Sequence, residues 1–221
     1  MCNILKVRWT VIPQTAPQPW LACSGCGTLK PFQCSGKTRL NANGRRLDAW
    51  LIYKCATCDK TWNRPIFERQ TVAGIDPATL DALQSNDPDF IRREAFNLDA
   101  LRRKTKRIDE FAEIDIRKET LCDSRGWTAL EIEFAVPLPV STRLDRLLAA
   151  ELGVSRSWLQ VMQERAVLLT ITDRPDSLRK RIKTGLVLPF DLADETDLEE
   201  KWRSLATSSP PVGEDSKAVR A

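Results

Sequence analysis

The pattern of apolar and polar positions changes character twice along the chain. In the first third, strand-forming residues cover 32–40 and 47–54, and the Asn-Gly pair at 43–44 is a strong signal for a hairpin turn between them. A further strand is predicted over 61–69. Residues 1–75 are therefore expected to form a module of strands joined by tight turns.

The second segment opens with signatures of helix starts. Asp76 and Asp87 each precede a proline, which places an acidic cap before a proline at the first helical position. Asn97 is expected to cap a third, basic helix whose apolar positions continue to Ile108. Three short helices are thus predicted to follow the strands.

Alternation returns at residues 113–136. Isoleucines at 114 and 116 alternate with charged residues, an Arg-Gly pair at 125–126 favours a turn, and the alternation resumes over 130–134. This pattern predicts a β-hairpin that completes a segment spanning 76–140.

A compact third module is predicted over 141–192. Thr142 is expected to cap a leucine-rich helix that Gly153 ends, and Ser155 is expected to cap a second helix. Two strands complete the module, at 167–172 and 186–190 on either side of a turn at 173–176.

Composition restricts the classes of protein. The 221 residues include no histidine, which removes histidine metal ligands and the most frequent general base. No apolar run approaches the roughly 18 residues that a bilayer span needs, and Lys6 and Arg8 interrupt the N-terminus where a signal peptide would be apolar. We expect a cytoplasmic protein without a membrane segment, a small-molecule substrate or an enzymatic activity.

Charge is distributed in alternating blocks. Residues 1–70 carry 11 basic and 3 acidic side chains, a net charge of +8, and residues 141–190 carry 9 and 5, a net charge of +4. Residues 71–140 and 191–221 each have a net charge of −4, from 10 basic and 14 acidic and from 4 basic and 8 acidic side chains. The two basic blocks favour an anionic partner such as nucleic acid, although solvated helix and strand faces would also produce them.

Two C-x-x-C motifs supply four candidate metal ligands: Cys23, Cys26, Cys55 and Cys58. Two residues between cysteines allow a tight turn to direct both sulfurs at one point, and two such turns complete a tetrahedron. The 28 intervening residues exceed the commonest zinc spacing. A hairpin turn at 43–44 would place Cys55 opposite Phe32 and so bring the two motifs together.

Zinc is the favoured occupant, and other interpretations remain open. The motifs would also suit redox dithiols or buried cysteines, and an iron–sulfur cluster accepts four thiolates. Four sulfur ligands leave no open coordination position, so the zinc is predicted to be structural. Cys34, opposite Tyr53 in the same register, is expected to be a small buried residue rather than a ligand.

The first 140 residues resemble a bacterial family designated domain of unknown function number ten sixty-two. The resemblance rests on the cysteine motifs and on four strings: Cys34-Ser-Gly-Lys37, Asn41-Ala-Asn-Gly44, Leu47-Asp-Ala-Trp-Leu-Ile-Tyr53 and Thr61-Trp-Asn63. It implies a zinc ribbon near the N-terminus and carries no activity with it.

Residues 143–190 resemble the small RNA-binding fold named after ribosomal protein S four. The resemblance rests on Arg143-Leu-Asp145, Leu147-Leu148, Ser155-Arg156-Ser157 and Lys183-Thr-Gly185. The chain departs from that pattern in two places. After the second helix the family has a glycine that this chain lacks, and at 173–176 the family has an Asn-Gly turn that this chain lacks. Carried over by position, the resemblance implies that structured RNA contacts four residues: Arg143, Arg146, Ser155 and Arg156.

These observations predict an α+β protein in four segments. They are a four-cysteine zinc ribbon at 1–75, a helical segment with a β-hairpin at 76–140, an αα-β-hairpin module at 141–192, and an acidic helix with a disordered tail at 193–221. The tail is expected beyond residue 205, where the composition offers nothing to bury.

The leading functional hypothesis is a non-enzymatic, zinc-containing RNA-binding protein associated with ribosomes or tRNA. A protein–protein adaptor that uses the zinc ribbon as a docking face is the second candidate, and a DNA-binding regulator is the third. The sequence offers no recognisable helix-turn-helix for the third, and no pairing of nucleophile and base for an enzyme.

Overall fold

The computed structural model describes residues 3–123, 126–169, 177–193 and 196–208. Its strands are β1 (Ile4–Pro13), β2 (Gln18–Ala22), β3 (Leu29–Asn43), β4 (Arg46–Cys55), β5 (Thr61–Thr71), β6 (Ile108–Asp109), β7 (Ile114–Cys122), β8 (Ala129–Ala135) and β9 (Val187–Asp191). Its helices are α1 (Pro77–Ser85), α2 (Pro88–Ala95), α3 (Leu98–Arg102), α4 (Leu144–Glu151), α5 (Arg156–Glu164) and α6 (Thr196–Thr207). This mixture of helices and two sheets confirms the α+β class.

The first strand, β1, was not predicted from the sequence. Its apolar side chains at Leu5, Val7, Trp9 and Val11 are all 0% exposed, whereas the residues between them are only partly buried. That period of two is the signature of a strand with one face in a core. The same alternation of apolar and polar residues is visible in the sequence over 5–11.

A four-stranded sheet has β1 at its centre, in the order β7-β1-β8-β9. β1 pairs in parallel with β8, from Ile4 opposite Ala129 to Thr10 opposite Ala135, and β9 pairs antiparallel with β8. The hairpin predicted over 113–136 is therefore wrong. Both of its strands form, but β1 lies between them, because alternation identifies strands without identifying their partners.

Helix α4 begins and ends close to its predicted limits, and α5 begins directly after its predicted cap. The Ser155 hydroxyl accepts a hydrogen bond from the Trp158 N–H at 3.0 Å, which confirms it as the cap of α5, and Gly153 follows α4 with φ at +62°. The prediction for Thr142 is wrong. Arg143 holds the cap position of α4, and the Thr142 hydroxyl instead donates to the Ala112 carbonyl at 3.0 Å.

Part of the predicted C-terminal hairpin lies outside the described residues. The turn at 173–176 and positions 170–172 of the preceding strand belong to that part, as does residue 125 of the turn predicted at 125–126. Within the described residues, Leu168 forms a single β-bridge to Phe190. The second strand forms as β9.

The C-terminal helix α6 continues beyond the predicted start of the tail. Ala206 is 0% exposed, and its carbonyl accepts a hydrogen bond from the Trp9 indole N–H at 3.0 Å. Trp202, also 0% exposed, meets the Trp158 and Phe190 rings edge-on at 5.6 and 5.3 Å. Residues 206–208 are thus part of the folded unit, and the rest of the predicted tail lies outside the described residues.

Two truncations should have different effects on stability. Ending the chain at residue 205 removes the acceptor of the buried Trp9 N–H, and an unsatisfied buried donor costs about 1–3 kcal/mol. Ending the chain at residue 208 keeps this hydrogen bond. We expect urea unfolding to show a free energy of unfolding lower by that amount only for the shorter chain, and equal stabilities would contradict the role given to Ala206.

A five-stranded sheet of order β5-β4-β3-β2-β6 forms the other part of the fold. The carboxylates of Asp76 and Asp87 accept hydrogen bonds from backbone N–H groups in the first turns of α1 and α2, as predicted. Asn97 caps α3 in the same way, but α3 ends at Arg102. The extension to Ile108 is wrong, because that residue pairs with Pro19 in the sheet as part of β6.

The chain divides into two compact units, residues 13–111 and residues 1–12 together with 112–221. The four predicted segments follow chain order, whereas the second unit joins both ends of the chain through the pairing of β1 with β8. Across the described residues, helices with the length and apolar composition needed to cross a bilayer are absent.

Candidate metal centre and basic groove

Each C-x-x-C motif forms a tight turn between two strands. In the first turn, the Gly27 N–H donates to the Cys23 carbonyl at 2.8 Å, and in the second the Asp59 N–H donates to the Cys55 carbonyl at 3.1 Å. Gly27 and Asp59 follow the second cysteine of their motifs, and both have positive φ angles of 68° and 57°. The two turns therefore share one backbone design that directs each pair of sulfurs to the same side.

The β3–β4 hairpin brings the two turns together. Phe32 lies opposite Cys55, as the sequence predicted, although the turn itself is displaced. Asn43 pairs with Arg46, so the loop consists of residues 44–45 rather than 43–44. A bulge between Cys34 and Thr38 compensates for this displacement before the strands reach the cysteines.

The four sulfurs form one group, with all ligand atoms within 4.8 Å of one another. The Sγ atoms of Cys23 and Cys58 are 3.4 Å apart, and those of Cys26 and Cys55 are 3.9 Å apart. A zinc ion with bonds of about 2.3 Å to four thiolates requires neighbouring sulfurs to be about 3.8 Å apart. The group therefore fits a tetrahedral metal ion.

A glycine maintains the space around the group. A Cβ atom at residue 25 would lie 2.9 Å from the Sγ of Cys58. A larger residue there would displace a ligand, which gives a physical reason for the glycine inside the first motif.

Hydrogen bonding separates the acidities of the thiols. Burial alone would raise the pKa of Cys55, but hydrogen bonds from the backbone N–H groups of Thr57 and Cys58 lower it to about 6. The hydrogen bond with the Cys58 thiol, together with burial, raises the pKa of Cys26 to about 12. A bound divalent cation would favour the thiolate form of all four cysteines.

Cys34 lies outside the metal group. It faces Tyr53 across the β3–β4 pair and is partly buried, as predicted, and its burial raises the pKa of its thiol. Cys122 is exposed in β7 and also lies outside the group.

The residues assigned to RNA binding line one groove of about 780 Å³. Arg143, Arg146, Ser155 and Arg156 are all part of its wall. Arg179 joins them from a short 3-10 turn (Ser177–Arg179), a contribution that the sequence patterns did not identify. No local motif marks Arg179, because its position depends on how the turn folds back onto α4 and α5.

An acidic side chain, Asp145, lies among the arginines of the groove. Asp145 accepts hydrogen bonds from Nε and Nη2 of Arg143 at 3.1 and 2.6 Å, and a further one from the Arg146 backbone N–H at 2.9 Å. This two-pronged pairing fixes the Arg143 guanidinium beside the groove. Arg146 and Arg156 are exposed, and across the described residues they have no carboxylate within ion-pair distance.

Comparison with known proteins gives one match. A family model described as Protein of unknown function (DUF1062) matches residues 40–174, which is more than half of the chain. The match includes the second cysteine motif and begins after the first. No curated protein and no solved structure matches the chain.

Proposed function

The chain belongs to the family Protein of unknown function (DUF1062), and we propose that it is a zinc-containing RNA-binding protein without catalytic activity. The zinc would stabilise the unit formed by residues 13–111. Structured RNA would bind in the groove formed by α4, α5 and the 3-10 turn.

The proposal of zinc rests on the chemistry of the donor set. Four cysteine sulfurs within 4.8 Å suit a borderline-soft ion that accepts tetrahedral geometry. Such a closed set offers no position for a substrate, which favours a structural role. Cys23, Cys26, Cys55 and Cys58 would hold the ion, and its binding would displace protons from those thiols that are still protonated.

The observation that carries the proposal of RNA is the excess of positive charge in the groove. Among the described residues, four arginines line it with a single carboxylate, which is already paired with Arg143. Arginine is the side chain best suited to phosphate, because its planar fork donates two parallel hydrogen bonds. A groove with this charge favours a polyanion over the mixed surfaces of most protein partners.

The N-terminus of α5 adds to the attraction. Ser155, Arg156 and Ser157 all line the groove, so the positive end of this nine-residue helix is part of its wall. The Ser155 and Ser157 hydroxyls lie 2.9 Å apart and share a hydrogen bond. A phosphate oxygen in the groove would meet hydroxyl groups, guanidinium groups and a helix N-terminus, all of which favour negative charge.

A double charge reversal tests the groove. Arg146→Glu with Arg156→Glu should weaken binding of a folded hairpin RNA about 100-fold, because each change removes a charge-assisted hydrogen bond worth about 1.5 kcal/mol. Affinity of the unaltered protein should fall steeply with salt, and the variant should show a shallower dependence. Fluorescence anisotropy at several salt concentrations measures both effects.

A matched control has the same change in net charge. Arg117→Glu with Lys183→Glu alters two exposed basic residues in the same unit that do not line the groove. Binding should change little in this variant. If affinity is insensitive to salt, or if both double variants bind equally well, the RNA hypothesis is wrong and the adaptor hypothesis gains support.

A further inference from the structure

The five-stranded sheet has two faces of different character. On β4, alternate side chains are buried, including Leu51 and Tyr53 at 0% exposed, while Trp50, Ile52 and Lys54 between them are more exposed. Residues directly opposite one another in a sheet lie on the same face. The register therefore assigns the partners of these three residues to the second face as well.

Helices α2 and α3 pack against the first of these faces. Ile91 and Ala95 of α2 and Leu101 of α3 share a core cluster with Leu51 and Tyr53. The side chains of the second face do not contribute to that cluster. We call this second face, which includes Arg39, Asp48, Trp50, Ile52, Lys54 and Asn63, the open face.

Trp50 is the aromatic side chain of the open face that remains available. It is partly exposed, and across the described residues its ring makes no contact with another ring or with a cation. The other tryptophans of this unit are engaged. The Arg107 guanidinium covers the Trp20 ring at 3.5 Å, and Trp62 packs against Tyr53 at 5.2 Å.

Two cations share the face of Trp50 with the carboxylate of Asp48, which accepts a hydrogen bond from the Arg69 backbone N–H at 2.6 Å. Arg39 lies directly opposite Trp50 on β3, and Lys54 lies further along β4 on the same face. Both are exposed, and neither has an ion-pair partner across the described residues. Residues 29–71 carry nine basic and three acidic side chains, so the surrounding strands are also positive.

We propose that the open face binds single-stranded nucleic acid, with Trp50 stacking on a base and with Arg39 and Lys54 contacting phosphates. A partly exposed indole beside cations that have no ion-pair partner among the described residues matches the two requirements of such binding, an aromatic platform and a positive track for the backbone. A duplex would hide the faces of its bases from Trp50. The site lies in the unit of residues 13–111 and is independent of the groove between α4 and α5.

The test uses the full-length, zinc-loaded protein carrying Arg146→Glu and Arg156→Glu, so that the groove does not contribute. Fluorescent single strands of about 12 nucleotides, one of RNA and one of DNA, serve as probes because their length falls within the site sizes of such surfaces. Trp50→Ala should weaken binding about tenfold without changing the salt dependence. Trp50→Phe should retain most of the affinity, because the ring still stacks.

Charge variants provide the second readout. Arg39→Ala should reduce the slope of log affinity against log salt by about 0.7, the value for one phosphate contact on a single strand. Lys104→Glu, in an exposed turn of the same unit outside the strands, should leave both affinity and slope close to those of the parent. The zinc content of each variant reports whether the unit remains folded. If Arg39→Ala loses zinc, Arg39→Gln takes its place, and if Trp50→Ala loses zinc, Trp50→Leu takes its place.

Three outcomes would overturn the proposal. The first is a parent protein that binds neither single strand. The second is equal affinity of Trp50→Ala and Trp50→Phe, which would show that no aromatic ring at this position stacks on a base. The third is a blunt duplex that binds as tightly as the single strands, which would show that the surface contacts only phosphates. Preference for RNA over DNA, or the reverse, identifies the natural strand and supports the proposal in either case.

Discussion

Removing the metal with a strong chelator should unfold residues 13–111 while the unit formed by residues 1–12 and 112–221 keeps its structure. The core of the 13–111 unit is small, with eight buried residues in its main cluster, two of which are cysteines of the candidate metal group. Structural zinc in small domains contributes on the order of 10 kcal/mol, which is comparable to the whole stability of a typical domain. The metal would therefore supply most of the folding free energy of this unit.

Single substitutions of the ligands should reproduce the effect of the chelator. Cys23→Ser and Cys58→Ser should each lower the zinc content from about one ion per chain to near zero and should unfold the same unit, since three thiolates bind zinc far more weakly than four. Elemental analysis and amide hydrogen exchange measure the two consequences. Exchange should increase in β2 to β5 and remain slow in β1 and β8.

Two other cysteines serve as controls. Cys34→Ala and Cys122→Ser change thiols outside the metal group and should leave the zinc content unaltered. Iron in place of zinc would refute the assignment of the metal. Zinc loss from Cys34→Ala would show that a ligand has been misassigned, and slow exchange after chelation would show that the metal is not structural.

The metal group could be predicted because its signal is local. Two C-x-x-C motifs and an Asn-Gly turn are short patterns with definite geometries, and they specify both the ligands and the hairpin between them. The sequence did not reveal the bulge between Cys34 and Thr38. Phe32 faces Cys55 because that bulge and the displaced turn compensate for each other, so the predicted pairing was correct although the predicted turn was displaced.

The position of β1 could not be predicted in the same way. Its alternation is legible once sought, but its neighbours β7 and β8 lie more than 100 residues further along the chain. Pairing at that distance depends on which apolar faces fit together in the core, and no short pattern encodes it. β7 and β8 were expected to pair with each other because strands that are consecutive in sequence usually lie next to each other in a sheet.

The groove could be predicted only in part from the sequence. Its residues at α4 and α5 were predicted only from a resemblance to an RNA-binding fold, which rests on short local patterns. Arg179 and the Arg143–Asp145 pairing depend on tertiary contacts. Because Arg143 pairs with Asp145, Arg143→Glu would place a second carboxylate beside the buried Asp145 and would disturb the fold as well as the groove. Arg146 and Arg156 are therefore the better positions for a charge reversal.

Breaking the ion pair between Arg64 and Glu94 should destabilise the 13–111 unit by an amount that depends on which partner is removed. Nη2 of Arg64, on β5, donates to Oε2 of Glu94 at 2.7 Å and to the Glu94 backbone carbonyl at 3.0 Å. The Arg64 side chain is only 1% exposed, whereas that of Glu94, on α2, is 22% exposed. The pair links α2 to the edge strand of the sheet.

Glu94→Ala leaves the Arg64 guanidinium buried without its counter-charge, and uncompensated buried charges cost about 3–5 kcal/mol. Arg64→Met leaves a carboxylate that still reaches water and fills the vacated space with an apolar chain, so its cost should be about 1–2 kcal/mol. The double variant Arg64→Met with Glu94→Ala should be more stable than Glu94→Ala alone, because no buried charge remains. Urea unfolding at a fixed zinc concentration measures all three values, and an equal or reversed order for the two single variants would mean that the Arg64 charge is solvated in the folded protein.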